Sequence, residues 1–313
     1  MSGYFILYLL EDKKFNLITI LGPTASGKTS LAVALAKILN GEIISADSRQ
    51  VYRDMNIGTG KDLEEYEDIP YHLIDILDAG EIYGVGQFQK DFNRAFIDIR
   101  KRGKVPILCG GTGLYIQAVL QNFKHTYIPR NGELRDFLAD QDYSELKSFF
   151  ERLPKAQSFS ADTSTHKRLI RAIEIAKWLE TNEMQEELNA PPQSLTFGIE
   201  LDLETRRANI SKRLHDRFEM GLIEEVKGLI EKGIPADMLI FYGLEYKIIT
   251  QHLQGDFDLA ECFNRLEIAI HQFAKRQMTY FRKMEKDALK IQWLSQQSLH
   301  ERLNYIERFI ANS

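Results

Sequence analysis

Cysteine is scarce in this chain. Cys109 and Cys262 are its two cysteines, far apart and with neither CxxC nor Cys/His spacing around them. That excludes a disulfide framework and a zinc-finger site, and fits reduced thiols in a cytosolic protein. Net positive charge is also missing. The formal charge is −5 over 313 residues, so the whole-protein field does not attract nucleic acid and any RNA contact has to come from a local basic face. The apolar opening run, Tyr4-Phe5-Ile6-Leu7-Tyr8-Leu9-Leu10, has no preceding Lys or Arg and runs into Glu11-Asp12-Lys13-Lys14. It is far too short to span a bilayer and is read as an N-terminal extension or an added strand, not as a signal peptide. No internal repeat is visible.

What is present is ordinary globular material: hydrophobic residues at 44% and charged residues at 27%. The length suits one large domain, or a core with a smaller second domain, with ample apolar content for a buried core. Leu17 to Leu21 is a short β-favouring run, followed by a glycine-rich segment and the helical Ser30 to Leu39. A second strand, Glu42 to Ala46, stops at Asp47, and a third, Val105 to Gly111, has its own glycine-rich exit. Between them Gly86 to Lys101 is helical in pattern, with Phe88, Phe92, Ala95, Phe96 and Ile99 on one face. Alternating strands and helices predict a parallel sheet covered on both faces.

After Gln121 the character changes. Charged, helix-favouring segments run from Glu133 to Leu153 and from Ser164 to Glu187, closed by Asn189-Ala190-Pro191-Pro192. Leu195 to Leu201 looks like a return to the sheet, and from Leu203 the chain reads as amphipathic helices to its end. The expected organisation is a core of residues 1–121 and 193–313, with 122–192 a helical insertion domain.

The pattern G-x-x-x-x-G-K-[ST] is met by Gly22-Pro23-Thr24-Ala25-Ser26-Gly27-Lys28-Thr29, between a strand and a helix, the context this motif needs. Its backbone N–H groups can converge on phosphate oxygens, with the positive end of the helix dipole behind them. Lys28 supplies a point charge for the terminal phosphate, and the Thr29 hydroxyl can hold Mg²⁺. The motif specifies a polyphosphate ligand, not a reaction. Asp47, at the carboxyl end of the second strand, lies where ligands bind open α/β sheets, and Ser48, Arg49 and Gln50 follow it with side chains suited to a polar acceptor. Taken alone, Asp47 fits a turn-capping role equally well.

Several blocks in order resemble the tRNA dimethylallyltransferases: Gly22 to Thr29, Ile44 to Tyr52, Met55 to Thr59, His72 to Asp75, Gln87 to Gln89, Gly110 to Tyr115, and Ala274 to Arg282. The resemblance covers about Leu17 to Arg282 and is weak across the insertion. It implies a P-loop NTPase-like α/β fold and transfer of a dimethylallyl group from its diphosphate to N6 of the adenosine 3′ of the anticodon, position 37. Asp47 would be the general base and the P-loop with Mg²⁺ the diphosphate cradle, joined by Arg213 and Arg217 from one helix face. Catalysis would rest on Asp47, Thr112, Lys28 and Arg217. Contacts to tRNA would come from Asp47, Ser48, Arg49, Gln50, Thr112, Arg135 and the segment Lys167-Arg168-Leu169-Ile170-Arg171. Lys275, Arg276, Arg282 and Lys283 would extend the local basic face. The implied partners are the tRNA anticodon stem-loop and dimethylallyl diphosphate, with no membrane, for a cytoplasmic chain expected to act as a monomer.

Two blocks depart from the family's usual residues. Gly58-Thr59-Gly60-Lys61-Asp62 stands for the usual Gly-Thr-Ala-Lys-Pro, and Phe241 to Lys247 for the usual Ile-Gly-Tyr-Lys-Glu region. The competing readings are a P-loop small-molecule or nucleotide kinase, with an aspartate orienting the acceptor hydroxyl, and a P-loop ATPase or RNA-binding module in which Leu73-Ile74-Asp75 would be a metal-holding strand end.

Overall fold

The computed structural model describes residues 15–184, 190–295 and 298–311, so the apolar opening run lies outside the described residues. The chain divides into two compact units, residues 1–121 with 191–313 and residues 122–190.

The first unit is built on a six-stranded sheet in which every neighbouring pair is parallel. In chain order it contains β1 (Leu17–Leu21), α1 (Lys28–Leu39), β2 (Gly41–Ser45), β3 (Tyr71–His72), α2 (Val85–Lys101), β4 (Val105–Gly110) and α3 (Gly113–Leu120). After the second unit, which carries α4 (Gly132–Ala139), α5 (Tyr143–Glu151) and α6 (His166–Thr181), come β5 (Ser194–Ile199), α7 (Leu203–Glu219) and α8 (Leu222–Glu231). Then follow α9 (Ala236–Phe241), α10 (Leu244–Leu253), α11 (Leu259–Lys286), β6 (Gln292–Leu294) and α12 (Leu299–Ala311). The strand order is β3-β2-β4-β1-β5-β6. A parallel sheet flanked by helices, with a glycine-rich loop between β1 and α1, is the P-loop NTPase-like α/β class.

β1 is central and covered on both faces, which explains why it reads as an unbroken apolar run. Its side chains alternate between two cores: Leu17 and Leu21 pack with Phe88, Phe92 and Phe281, while Ile18 and Ile20 pack with Leu31, Leu35 and Ile306. On α2, Phe88, Phe92 and Ile99 are buried, and Ala95 and Phe96 are half-buried against the same core. Far from the strand ends that carry the motifs, Glu42 is buried against Arg102, His72 and Lys104. The hydrogen bonds of Arg102 hold its carboxyl down, to about 2.

Three features differ from the sequence reading, the first being the two-residue edge strand β3, which pairs in parallel with β2. The tail is not helical throughout, because β6 adds a short edge strand beside β5, in register from Phe197↔Gln292 to Ile199↔Leu294. Three residues are too few to show a period of two. Within the insertion, Glu133 to Leu153 is not one helix but α4 and α5, broken around Asp140 to Asp142, where short polar side chains favour turns. The third helix ends at Thr181 among the described residues.

The insertion has its own core, in which Leu138, Leu146, Phe150, Leu169, Ile170 and Ile173 are buried together. Beside it Glu174, 2% exposed, accepts hydrogen bonds from the Asn131 N–H at 2.5 Å, from Arg135 at 2.8 and 2.9 Å and from Arg171 at 2.5 Å. Burial alone would raise this carboxyl, but those donors hold it down, to about 2. Among the described residues, no helix is long and apolar enough to cross a membrane.

Candidate active site

The carboxyl ends of β1, β2 and β4 open side by side, and each delivers one part of the site. From β1 the chain enters the glycine segment and turns directly into α1. Gly27 precedes that helix at φ +78°, a left-handed conformation that costs a side chain dearly and glycine nothing. Gly27 has no side chain with which to cap α1, which leaves that helix end open to an anion. Desolvation pushes the Lys28 ammonium below the usual lysine range. Arg213 pushes the same way, while Asp47 and Glu65 oppose the shift, which places these charges around one point.

Asp47 follows β2 by two residues, and its Oδ1 accepts the Arg49 N–H at 2.9 Å. Thr112, just past β4, holds the backbone on both sides of it. The Thr112 N–H donates to the Ala46 carbonyl at 3.1 Å, and Thr112 Oγ1 accepts the Ser48 N–H at 3.1 Å. Asp47 is therefore held between two adjacent strands, and among the described residues no hydrogen bond takes up its Oδ2. The Gln50 side chain is used internally, accepting from Ser45 Oγ at 3.1 Å and donating to the Gly60 carbonyl at 2.9 Å. Arg49 lies over the Phe241 ring, 5.3 Å from its centroid, and is half-buried.

Arg213 and Arg217 come from α7, whose first turn is capped by Asp202 accepting the Thr205 N–H at 2.8 Å. Arg213 is ion-paired to Asp62 and donates to the Gly60 carbonyl at 3.3 Å. Arg217 is 7% exposed and sits 3.5 Å from Glu245, a carboxyl pushed up by burial and pulled back by Arg217. Gly60 makes this approach possible: at φ +60°, a Cβ there would meet the Arg217 guanidinium at 1.8 Å and that of Arg213 at 2.5 Å. The usual alanine of the resembling family would not fit the arginines as they stand here. Among the described residues, Arg217 Nε and Ser26 Oγ are buried without a hydrogen-bond partner, as groups that could receive an anion would be.

A metal here would have few protein ligands. Among the described residues, no group of three or more His, Cys, Asp or Glu is placed to hold one. Mg²⁺ usually keeps several waters and takes one or two protein oxygens plus substrate phosphates, and the half-buried Thr29 at the start of α1 fits that role. Asp75 does not: it is ion-paired to Lys61, which is 1% exposed and also donates to the Tyr52 carbonyl at 2.6 Å and Asn56 Oδ1 at 2.9 Å. The strand-end metal reading fails because that carboxylate already neutralises a buried ammonium.

The insertion residues separate into two groups. Leu169 and Ile170 are buried in its core, and Arg135 and Arg171 neutralise Glu174, with Arg171 also donating to the Ile128 carbonyl at 2.7 Å. Their side chains have a structural task that no local pattern announces. Lys167 and Arg168 are exposed, the latter paired with Asp162 at 3.0 Å. On the core unit, Arg206, Lys275, Arg282, Lys283 and Lys286 line an open concavity of about 420 Å³. Arg282 and Lys283 are partly neutralised by Glu200, Glu285 and Asp287, which leaves Arg206, Lys275 and Lys286 as its main charge.

Three further residues touch the site without having been singled out from sequence. Glu225 accepts the N–H groups of Asn56, Ile57 and Gly58 at 2.7, 2.7 and 3.0 Å and so fastens the loop that carries Gly60 and Asp62. Arg302, from α12, donates to the Ser26 carbonyl at 3.4 Å beneath the phosphate loop. Gln277 bridges two loops of the site from α11. Gln277 lies inside a quoted block, whereas Glu225 and Arg302 sit on unremarkable amphipathic helices.

A phosphate loop on the central strand, with a carboxylate aimed beside it by two neighbouring strands, defines a P-loop protein that brings a second substrate to a polyphosphate. The family models described as IPP transferase and isopentenyl transferase match residues 50–284 and 15–69. Over 291 residues the chain is 51% identical to tRNA dimethylallyltransferase 1 of Azobacteroides pseudotrichonymphae genomovar. CFP2, covering 91% of this chain and 94% of that one. It is 50% identical to tRNA dimethylallyltransferase 2 of Phocaeicola vulgatus, covering 90% and 93%. The full-length tRNA isopentenylpyrophosphate transferase of Bacillus halodurans has a similar structure, with TM-score 0.70, 34% identity and coverage of 95% and 96%. The chain belongs to the tRNA dimethylallyltransferases, a family of prenyltransferases.

Proposed function

We infer that this chain transfers a dimethylallyl group from dimethylallyl diphosphate to N6 of the adenosine at position 37, 3′ of the tRNA anticodon. The bond between C1 of the prenyl group and its diphosphate oxygen breaks, and a C1–N6 bond forms. The N6 proton passes to Asp47 and diphosphate leaves. The carrying observation is that Asp47 is held by Thr112 from the adjacent strand, beside the loop that would hold the leaving group. An adenine amino group is a poor nucleophile because its lone pair is delocalised, so a fixed base with one free carboxylate oxygen is useful. Lys28, the α1 N–H groups, Ser26 Oγ and the Arg217 guanidinium would take the charge growing on the diphosphate. Thr29 would help to hold Mg²⁺, which when bound would neutralise part of that charge.

For tRNA, Ser48, Arg49 and Thr112 would meet the extruded base and its neighbours, and the exposed Lys167 and Arg168 would supply the insertion's charge. The concavity around Lys275 suits the phosphate backbone. With no net positive field, binding would rest on these patches, and we place the chain in the cytoplasm acting as a monomer.

The test is incubation with Mg²⁺, unmodified tRNA carrying adenosines after its anticodon, and either dimethylallyl diphosphate or ATP. Diphosphate release matched by prenylated adenosine is the expected result. Phosphoryl transfer or ATP turnover in its place would point to a kinase or ATPase.

Asp62 is a departure with a measurable consequence. Its carboxylate occupies Arg213, which the diphosphate would also engage. Asp62→Asn, tolerated at φ 43° because asparagine accepts left-handed backbone, is expected to lower the KM for dimethylallyl diphosphate about two- to fivefold, the scale of a half-exposed ion pair. An unchanged or raised KM would remove Asp62 as a competitor.

A further inference from the structure

The donor and acceptor halves of the site lie on different loops. β1 and β4 are paired only as far as Leu21↔Gly110, and beyond that register the phosphate loop and the Gly111-Thr112 turn leave the sheet separately. One side chain then joins them. Gln277 Oε1 accepts the Thr24 N–H at 2.9 Å, and Gln277 Nε2 donates to the Gly111 carbonyl at 3.0 Å. The residue is 8% exposed, and a Cβ at Gly111 would stand 2.5 Å from its Nε2, so the turn is shaped to this amide.

From Gly111 the connection continues without a break. Thr112 donates from its backbone to the Ala46 carbonyl and accepts the Ser48 N–H on its hydroxyl, the two groups that flank Asp47. The position of Gln277 along α11 is itself secured one turn further on. There the Tyr280 hydroxyl donates to Gln117 Oε1 at 2.8 Å, and Gln117 Nε2 donates to Asp287 at 2.8 Å, tying α11 to α3. A primary amide suits this point because it offers an acceptor and a donor side by side, for an N–H on one loop and a C=O on the other.

We propose that Gln277 is a positioning residue that sets the separation between the diphosphate cradle and the Asp47 base, and so the alignment of prenyl C1 with the adenine nitrogen. It touches neither reacting atom. The role rests on the transfer reaction assigned above. Displacing one half of such a site by about 1 Å costs on the order of a hundredfold in rate even when each substrate still binds.

The test is single-turnover transfer with enzyme in excess and both substrates saturating, run beside equilibrium binding of each substrate. Gln277→Met, of similar volume but without either hydrogen bond, is expected to lower the single-turnover rate constant about 30- to 100-fold. Dissociation constants for dimethylallyl diphosphate and for tRNA are expected to stay within about threefold of wild type, the effect of a weak contact. Should the methionine variant not fold, Gln277→Asn keeps the amide but is too short to reach both loops. It is expected to lose about tenfold in the same rate constant.

A wild-type rate constant with a smaller reacting amplitude would mean that Gln277 only supports folding, and would overturn the proposal. So would weaker dimethylallyl diphosphate binding with an unchanged saturated rate constant, which would confine Gln277 to the phosphate loop. Wild-type protein that transfers no dimethylallyl group would instead remove the assigned reaction itself, and the alignment role with it.

Discussion

Asp47→Asn is expected to fold, to bind tRNA, and to transfer the dimethylallyl group about a hundred- to ten-thousandfold more slowly than wild type, the usual range for losing a general base. The turn should survive, because asparagine Oδ1 can accept the Arg49 N–H as the aspartate does, and the Thr112 contacts are to backbone. What disappears is the second carboxylate oxygen and its affinity for the N6 proton. The measurement is the single-turnover rate at saturating substrates, with tRNA binding as the control for folding. A wild-type rate would take Asp47 out of the base role and leave Thr112 and Ser48 framing a binding surface only.

Lys28→Met should affect both binding and chemistry. Its residue opens α1, where on the proposed reading the leaving diphosphate would gather charge, and removing one such donor costs about a hundred- to a thousandfold in kcat. The KM for dimethylallyl diphosphate should rise as well, since the ground-state diphosphate is already charged. In wild type, desolvation has lowered the Lys28 pKa, so its charged form is lost at lower pH than for an exposed lysine. The alkaline limb of kcat/KM for dimethylallyl diphosphate, which reports the free enzyme, should therefore fall below the ordinary lysine range. An alkaline limb at the ordinary lysine value, or wild-type kcat in the methionine variant, would dissociate Lys28 from the leaving group.

Arg213 and Arg217 connect these two predictions to the tail of the chain. They close on the Gly60 loop as they do because Gly60 has no side chain, and Asp62 and Glu245 share their charge. The substitutions Gly60 and Asp62 thus belong together, and the Asp62→Asn experiment asks how strongly that arrangement tempers diphosphate binding.

The strand, loop and helix around Gly22 to Thr29 were legible because they are local: apolar residues for a strand buried on both faces, glycines where the backbone turns, and helix formers after Lys28. The same holds for Asp47 after β2 and for Gly110 to Thr112 after β4, each marked by where an apolar run stops. β6 was not legible, because three residues at a sheet edge carry no periodic signal and gain their strand geometry from β5. Nor could pattern show that Arg135 and Arg171 are committed to Glu174 while Lys167 and Arg168 face solvent, since all four are basic residues at helical spacing.

By itself, then, the sequence determined the phosphate loop, the alternation of the central strands with helices, the identity of the candidate base and the family these blocks resemble. Those properties are written in contiguous residues, where backbone preference and apolar periodicity act over a few positions. Only the tertiary structure decided which charges are used up internally, and that one glutamine on α11 holds the phosphate loop and the Gly111 turn together. Those depend on groups far apart in the chain whose worth is set by burial and by the partner each one meets, and no local pattern encodes that.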